Sequence, residues 1–252
     1  MITRYSAWLD GEGLQDIDKT IIILDIQEQL PQSRIQTAGW AAGRDGTRFI
    51  RETTLTRSVT IRLQVREYDV TRRKTITSDV AAWAAKGGYL TINDRPGQRL
   101  KVRCSSLPVV ASALKWTDTL IITLTAYEWP YWEDESTHSA TLSGDTYAAL
   151  DLYVPGNGPY AYMSGDLSFS GVSTVEISAG ETQFTVQNVS GSLKWGYEDG
   201  ILYIRSGNAS VMAYRTPSSS DDLIVTPGKR NRIVITSSVP VSGRVYSRGC
   251  YL

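Results

Sequence analysis

Few residues in this chain could do chemistry, and their spacing argues against most of it. Among 252 residues there is one histidine, His138. Zinc sites built from several histidines are therefore excluded. A histidine-dependent triad would have to use His138, and no nucleophile elbow of the G-x-S-x-G type occurs. A lone histidine in a Ser/Thr-rich segment reads as a surface residue. Asp10, Glu12, Asp16 and Asp18 form an acidic cluster, but calcium-loop spacing fails. Gln15 sits where the invariant glycine of an EF-hand belongs, and Ile21 where its bidentate glutamate belongs. A solvated turn is expected there. Pro227-Gly228-Lys229-Arg230 lacks the upstream glycine and following Ser or Thr of a phosphate loop, so it reads as a hairpin turn. Glu133, Asp134 and Glu135 could supply the two carboxylates of a glycosidase, yet nothing marks them as a pair across a cleft. Trp195 and Tyr197 could stack on a sugar. With Leu193 they form an apolar row at period two, as on a core-facing strand. Trp195 is expected to be buried, with its indole N–H bonded internally. The sequence thus predicts no enzyme, no cofactor and no metal, and neither hydrolysis nor tight binding of a sugar.

Composition narrows the class further. The 26 basic and 26 acidic residues cancel, whereas a dedicated nucleic-acid binder would show a basic excess. Arg51, Arg57, Arg62, Arg66, Arg72, Arg73 and Lys74 are locally basic, but Glu52, Glu67 and Asp69 interrupt them. They read as polar strand faces and edge-guarding charges. Tyr and Trp outnumber Phe, which suits half-exposed sheets and protein interfaces. The start of the chain shows no apolar signal region, so no secretory leader is expected. The longest apolar run, Ile21 to Leu24, is far too short for a membrane helix. Cys104 and Cys250 are expected in different domains as free thiols. The sequons at Asn188 and Asn208 are then chance matches.

Strand patterns must position whatever these residues do. Leu55, Arg57, Val59, Ile61, Leu63 and Val65 share one face at period two, all apolar but Arg57. That alternation predicts a long half-buried strand. Tyr89–Ile92 and Leu100–Cys104 flank Arg95-Pro96-Gly97-Gln98, whose Pro–Gly pair fits a type II turn. One short helix is predicted, capped by Ser78 and stopped by Gly87-Gly88, with Val80, Trp83 and Ala84 on its packed face. Leu30 to Phe49 fits no element. It is either a surface hairpin with a glycine-rich tip or a projecting arm that docks on a neighbour.

Character changes near residues 131–135. Beyond them come ten short strand patterns, from Leu150–Val154 to Gly243–Tyr246 and including Ser210–Tyr214. Gly, Asn, Ser and Pro separate them, as in a β-sandwich or jelly roll. The fold class is therefore mostly β in two domains. Residues 1–133 form a β-sandwich-like domain with one short helix and a hairpin or arm. Residues 134–252 form the second sandwich.

The order of these features resembles a known family. Gly13-x-x-x-Ile17 precedes the strand ending Leu24-Asp25-Ile26. Then come Gly43-Arg44-Asp45-Gly46, the long alternating strand, Trp83-x-x-x-Gly87-Gly88 and Asp94-Arg95-Pro96-Gly97. Lys115-Trp116, Tyr127 and Pro130-Tyr131-Trp132-Glu133 close the first half. The second half ends Val225-x-Pro227-Gly228-x-x-Asn231-x-Ile233 and Gly243-x-Val245. This order is similar to that of siphophage distal tail proteins (Dit), whose second domain is a galectin-like sandwich. The resemblance implies a structural virion protein of the phage tail tip, assembled in the host bacterial cytoplasm. It implies a hexameric ring built by the N-terminal domains. The ring's partners would be the tail tube protein, the tail hub or tail-associated lysin protein and, in some phages, a receptor-binding protein. DNA passes through such a ring without specific binding, and no membrane is involved. Trp40, Arg44, Asp45 and Phe49 are the candidate interface residues. The alternative reading is a lectin-like adhesion protein.

Overall fold

In the computed structural model the described residues are 5–31, 33–38, 48–54, 56–114, 116–198 and 200–252. The chain divides into two compact units, Met1–Trp132 and Glu133–Leu252.

Unit 1 comprises β1 (Ala7–Leu9), β2 (Glu12–Gly13), the one-turn helix α1 (Leu14–Ile17), β3 (Ile21–Gln29), β4 (Ser33–Ala38), β5 (Arg48–Thr54), β6 (Arg57–Arg66), α2 (Val70–Lys86), β7 (Gly88–Ile92), β8 (Gln98–Leu114) and β9 (Thr117–Ala126), and the chain leaves it within β10 (Trp132–Asp134). The main path of its sheet runs β2-β1-β7-β8-β9-β6-β3, with the pairings described below all antiparallel. β6 lies between β9 and β3, and its alternation is the predicted one. Arg57, Val59, Ile61, Leu63 and Val65 are buried, while Arg62 and Arg66 are exposed. The Pro–Gly turn also forms as read. The Gln98 N–H donates to the Arg95 carbonyl, and Gly97 has φ of 74°, a value that suits glycine at the third place of a type II turn.

The helix differs from expectation. α2 begins at Val70, not near Ser78, and its cap is Asp69, whose carboxylate accepts from the Thr71 and Arg72 N–H groups. Its first turns carry Thr71, Arg72, Arg73 and Lys74, which no apolar periodicity could flag. Arg73 is nonetheless buried, because its guanidinium meets Asp118 of β9 at 3.0 Å. Ile76, Val80, Trp83 and Ala84 complete the buried face.

Unit 2 consists of β11 (His138–Val154), β12 (Ala161–Ala179), β13 (Thr182–Glu198), β14 (Ile201–Ser206), β15 (Ala209–Ser210), β16 (Ile224–Val225), β17 (Lys229–Ser247) and β18 (Cys250–Tyr251), with a short 3-10 turn at Met212–Tyr214. Most of the ten short segments expected here merge into a few long strands, and Ser210–Tyr214 is mainly the 3-10 turn. The sheet order is β11-β17-β12-β13-β14-β15.

The punctuating residues break register without ending strands. Shifts fall between Leu142 and Asp145 in β11, and between Ser168 and Val172 in β12. Bulges bend a strand and raise its local twist. The ladder therefore has two halves in the same order. One joins His138–Leu142, Gly243–Ser247 and Met163–Phe169. The other joins Tyr147–Val154, Lys229–Thr236 and Glu176–Ala179. Both bury alternate residues, Leu142, Met163, Leu167 and Val245 in the first half and Leu152, Ile177, Ile233 and Ile235 in the second. A sheet bent in this way faces its own apolar side and forms a sandwich.

Candidate functional site

β3 and β6 pair from Ile21↔Val65 to Gln29↔Ser58, with one bulge at Leu24. Four residues further along one strand and four back along the other, Ser33 pairs with Thr54. The register does not change across the gap. β4 and β5 thus pair in the register that β3 and β6 end in, and with one shift between Gln36 and Thr37 they reach Ala38↔Arg48. β9 accompanies β6 only to Arg57↔Ala126. Among the described residues, β4 and β5 pair only with each other. The six residues of β4 span about 20 Å of extended strand. A lone two-stranded ribbon is marginal in water. Trp40, Arg44 and Asp45 lie outside the described residues, between the ribbon's strands in sequence. Phe49 stands on β5, paired in register with Thr37.

The root of this arm is clamped by charge. Glu28 is the second-last residue of β3, and Arg57 is the first of β6. Their side chains meet at 3.8 Å, and that of Arg57 is fully buried. The other carboxylate oxygen of Glu28 accepts from Arg95 at 2.9 Å. The indole N–H of Trp132 donates to Glu28 at 3.1 Å, and the Arg95 guanidinium lies over the Trp132 ring, 5.2 Å from its centroid. This cluster explains why one arginine shares the apolar face of β6. It also gives Arg95 and Trp132, noted in the sequence only as parts of an ordered pattern, a common partner. Sequence reasoning missed Glu28, and the single signal available was Arg57 itself.

At the opposite end of β6 lies an exposed aromatic pair. The Tyr68 and Trp116 rings lie 5.9 Å apart, and they line an open pocket with Gln64, Arg66 and Thr117. Beneath it, Arg73 donates to the Glu67 carbonyl at 2.6 Å as well as to Asp118.

The other candidate groups hold structure. Asp10 accepts from the Tyr89 N–H, Glu12 pairs with Lys86, and Asp18 accepts from the Thr20 N–H and hydroxyl. Those Thr20 contacts, followed by Arg72, hold the Asp18 carboxyl below the usual carboxylate range. His138 lies 2.8 Å from Asp134, and the Arg248 guanidinium binds the Asp134 carbonyl. No cluster of metal-ligating side chains exists among the described residues, and no helix there is long and apolar enough to cross a membrane. Both cysteines are free thiols, Cys104 in unit 1 and Cys250 in unit 2. Trp195 is fully buried, and its indole N–H donates to the Met163 carbonyl at 3.0 Å. Tyr197 is partly buried, stacks on Tyr162 and exchanges hydrogen bonds with Leu223. Trp195 is thus a core residue with its indole N–H bonded internally, as its apolar row predicts.

No family model matches the chain, and no curated protein matches it. Among solved structures the chain is similar to the Dit protein (gp 19.1) of phage SPP1, described as a paradigm of the hub adsorption apparatus of phages infecting Gram-positive bacteria. The TM-score is 0.71 at 13% identity, over 98% of this chain and 99% of that one. The baseplate of phage p2, in its activated conformation with Sr, aligns with a TM-score of 0.44 at 7% identity over 97% of each chain. The p2 likeness is too loose to add to the first. At 13% identity the SPP1 likeness speaks for the fold, and the chain has a Dit-like fold along nearly its whole length.

Proposed function

We propose that this chain is a structural component of a phage tail tip, where copies of it form a ring that joins the tail tube to the tail hub. The observation that carries the reading is a likeness covering nearly all of both chains, not one module. The β4–β5 ribbon supports it from a different direction. A closed ring needs a heterologous interface, in which one patch meets a different patch on the next copy. A ribbon with no third strand among the described residues offers a surface to such a partner. Six copies, ring-building by the N-terminal domain and contact of Trp40, Arg44, Asp45 and Phe49 with a neighbour complete the proposal. Outside the ring the partners would be the tube protein, a hub or tail-associated lysin protein, and a receptor-binding protein. No catalytic step is assigned to it. Light scattering on the purified chain, with negative-stain imaging, tests the reading. Rings of about six times 27.8 kDa are expected. A strict monomer at high concentration with no rings in the images would overturn it.

A further inference from the structure

We propose that unit 2 carries a saccharide-binding site on the outer face of β11 and β17, centred on Tyr153. The site is a property of the single chain and does not depend on ring formation. Tyr153 is 53% exposed, on a strand whose inward residues Leu152 and Val154 are buried. Arg230 stands directly opposite it in register. Asp151, two residues earlier, shares the outward face, because side chains alternate along a strand. Thr137, His138 and Ser139, from the start of the same bent strand and the residue before it, line the pocket with these three. Its volume is about 560 Å³, within the roughly 300–1,000 Å³ of small-molecule sites.

The chemistry of the lining selects the ligand class. Among the described residues, no hydrogen bond or ion pair engages the Asp151 carboxylate or the Arg230 guanidinium. An acceptor-only group and a donor-only group therefore flank an open ring face. Hydroxyls from Thr137 and Ser139 add groups that both donate and accept. The His138 ring is held at its place by Asp134. A simple anion would meet the Asp151 carboxylate, and a metal cation would meet Arg230. An apolar ligand would leave both charges without hydrogen bonds. A pyranose satisfies all of them, since its C–H face stacks on a ring while its hydroxyls accept from Arg230 and donate to Asp151. Convergent polar groups beside an accessible ring are what the buried Trp195 lacks. The pocket is open to solvent, so single-site binding is weak.

The test is saturation-transfer difference NMR on the full chain, with the methyl glycosides of glucose, galactose and N-acetylglucosamine as probes. Transfer to the C–H face protons of at least one probe is expected. It should disappear in Tyr153→Ala and fall in Asp151→Asn and Arg230→Ala, with melting temperatures unchanged because these side chains are exposed. No transfer to any of the three probes overturns the proposal. So does transfer that persists undiminished in Tyr153→Ala, or in Asp151→Asn and Arg230→Ala together.

Discussion

Phe184 and Trp195 belong to one strand, β13, yet their rings meet edge to face with centroids 5.6 Å apart. Eleven residues of straight strand would separate them by about 36 Å. The contact is possible only because β13 bends between them, where Asn188 adopts φ of 54° and Gly191 φ of 76°. The rings therefore close the two halves of the sheet on each other. Gly165 faces Trp195 across the ladder, and a Cβ there would overlap the indole. Trp195→Ala should cost about 3–5 kcal/mol, the usual range for emptying a large aromatic site. Gly165→Ala should also destabilise. Denaturant unfolding checks both, and a Trp195→Ala protein of native stability would contradict this account of the bend.

The Glu28 cluster predicts an asymmetry. Glu28→Ala takes the Glu28 carboxylate away from the buried Arg57 cation, and breaking a buried pair from one side costs about 3–5 kcal/mol. Arg57→Met leaves Glu28 still bonded to Arg95 and Trp132 and only 20% exposed. Replacing a buried ionic group with an apolar side chain of similar length can be near neutral. Unfolding midpoints of the two variants should therefore differ widely, with Glu28→Ala the weaker. Equal losses would mean that Arg57 is not the residue Glu28 serves.

Legibility followed the physics of each element. The β6 alternation, the Pro–Gly turn and the burial of Trp195 were readable because apolar periodicity and turn chemistry act locally. The first half of α2 was not, because Arg73 is buried by a partner 45 residues away, and its charge reads as solvent exposure. The strands of unit 2 were cut too short because glycine and serine serve bulges as readily as turns. Gly171 and Gly191 lie inside strands with positive φ. The arm's course was hidden for a related reason. A ribbon that pairs with no third strand among the described residues has little reason to alternate.

Burial of the tyrosines predicts alkaline sensitivity. Tyr162 and Tyr197 stack with centroids 4.1 Å apart, and burial raises both above the ordinary value of 10.0. Tyr251 is pushed up to about 12, again by burial first. A folded pKa above the unfolded one contributes stability that is complete below pH 10 and lost as pH rises towards the folded value. Unit 2 should therefore weaken above about pH 10, where phenols of the unfolded chain ionise. In native protein, part of the tyrosinate absorbance should appear late. Tyr162→Phe combined with Tyr197→Phe should flatten the alkaline slope of stability. An unchanged slope would place the sensitivity elsewhere.

The arm makes the last prediction. β4 and β5 keep at Ser33↔Thr54 the register in which β3 and β6 end at Gln29↔Ser58, and gain no third strand among the described residues. Little of the fold should then depend on them, because the core residues Val59 and Ile61 of β6 and Leu120 and Ile122 of β9 lie on strands that pair with each other from Arg57↔Ala126 onward. A partner surface, by contrast, would depend on them heavily. Aromatic and arginine anchors at the centre of an interface contribute about 2 kcal/mol or more on truncation. Trp40→Ala should therefore weaken ring assembly while melting of the single chain stays as it was. Replacing residues 33–54 by a two-residue turn should abolish assembly with the same thermal stability, since Gln29↔Ser58 already lies next to the clamped root. Light scattering across a concentration series reads the first effect, and thermal unfolding reads the second. If Trp40→Ala lowers the melting temperature and leaves assembly intact, the tryptophan belongs to its own subunit's core and the arm is not the docking element.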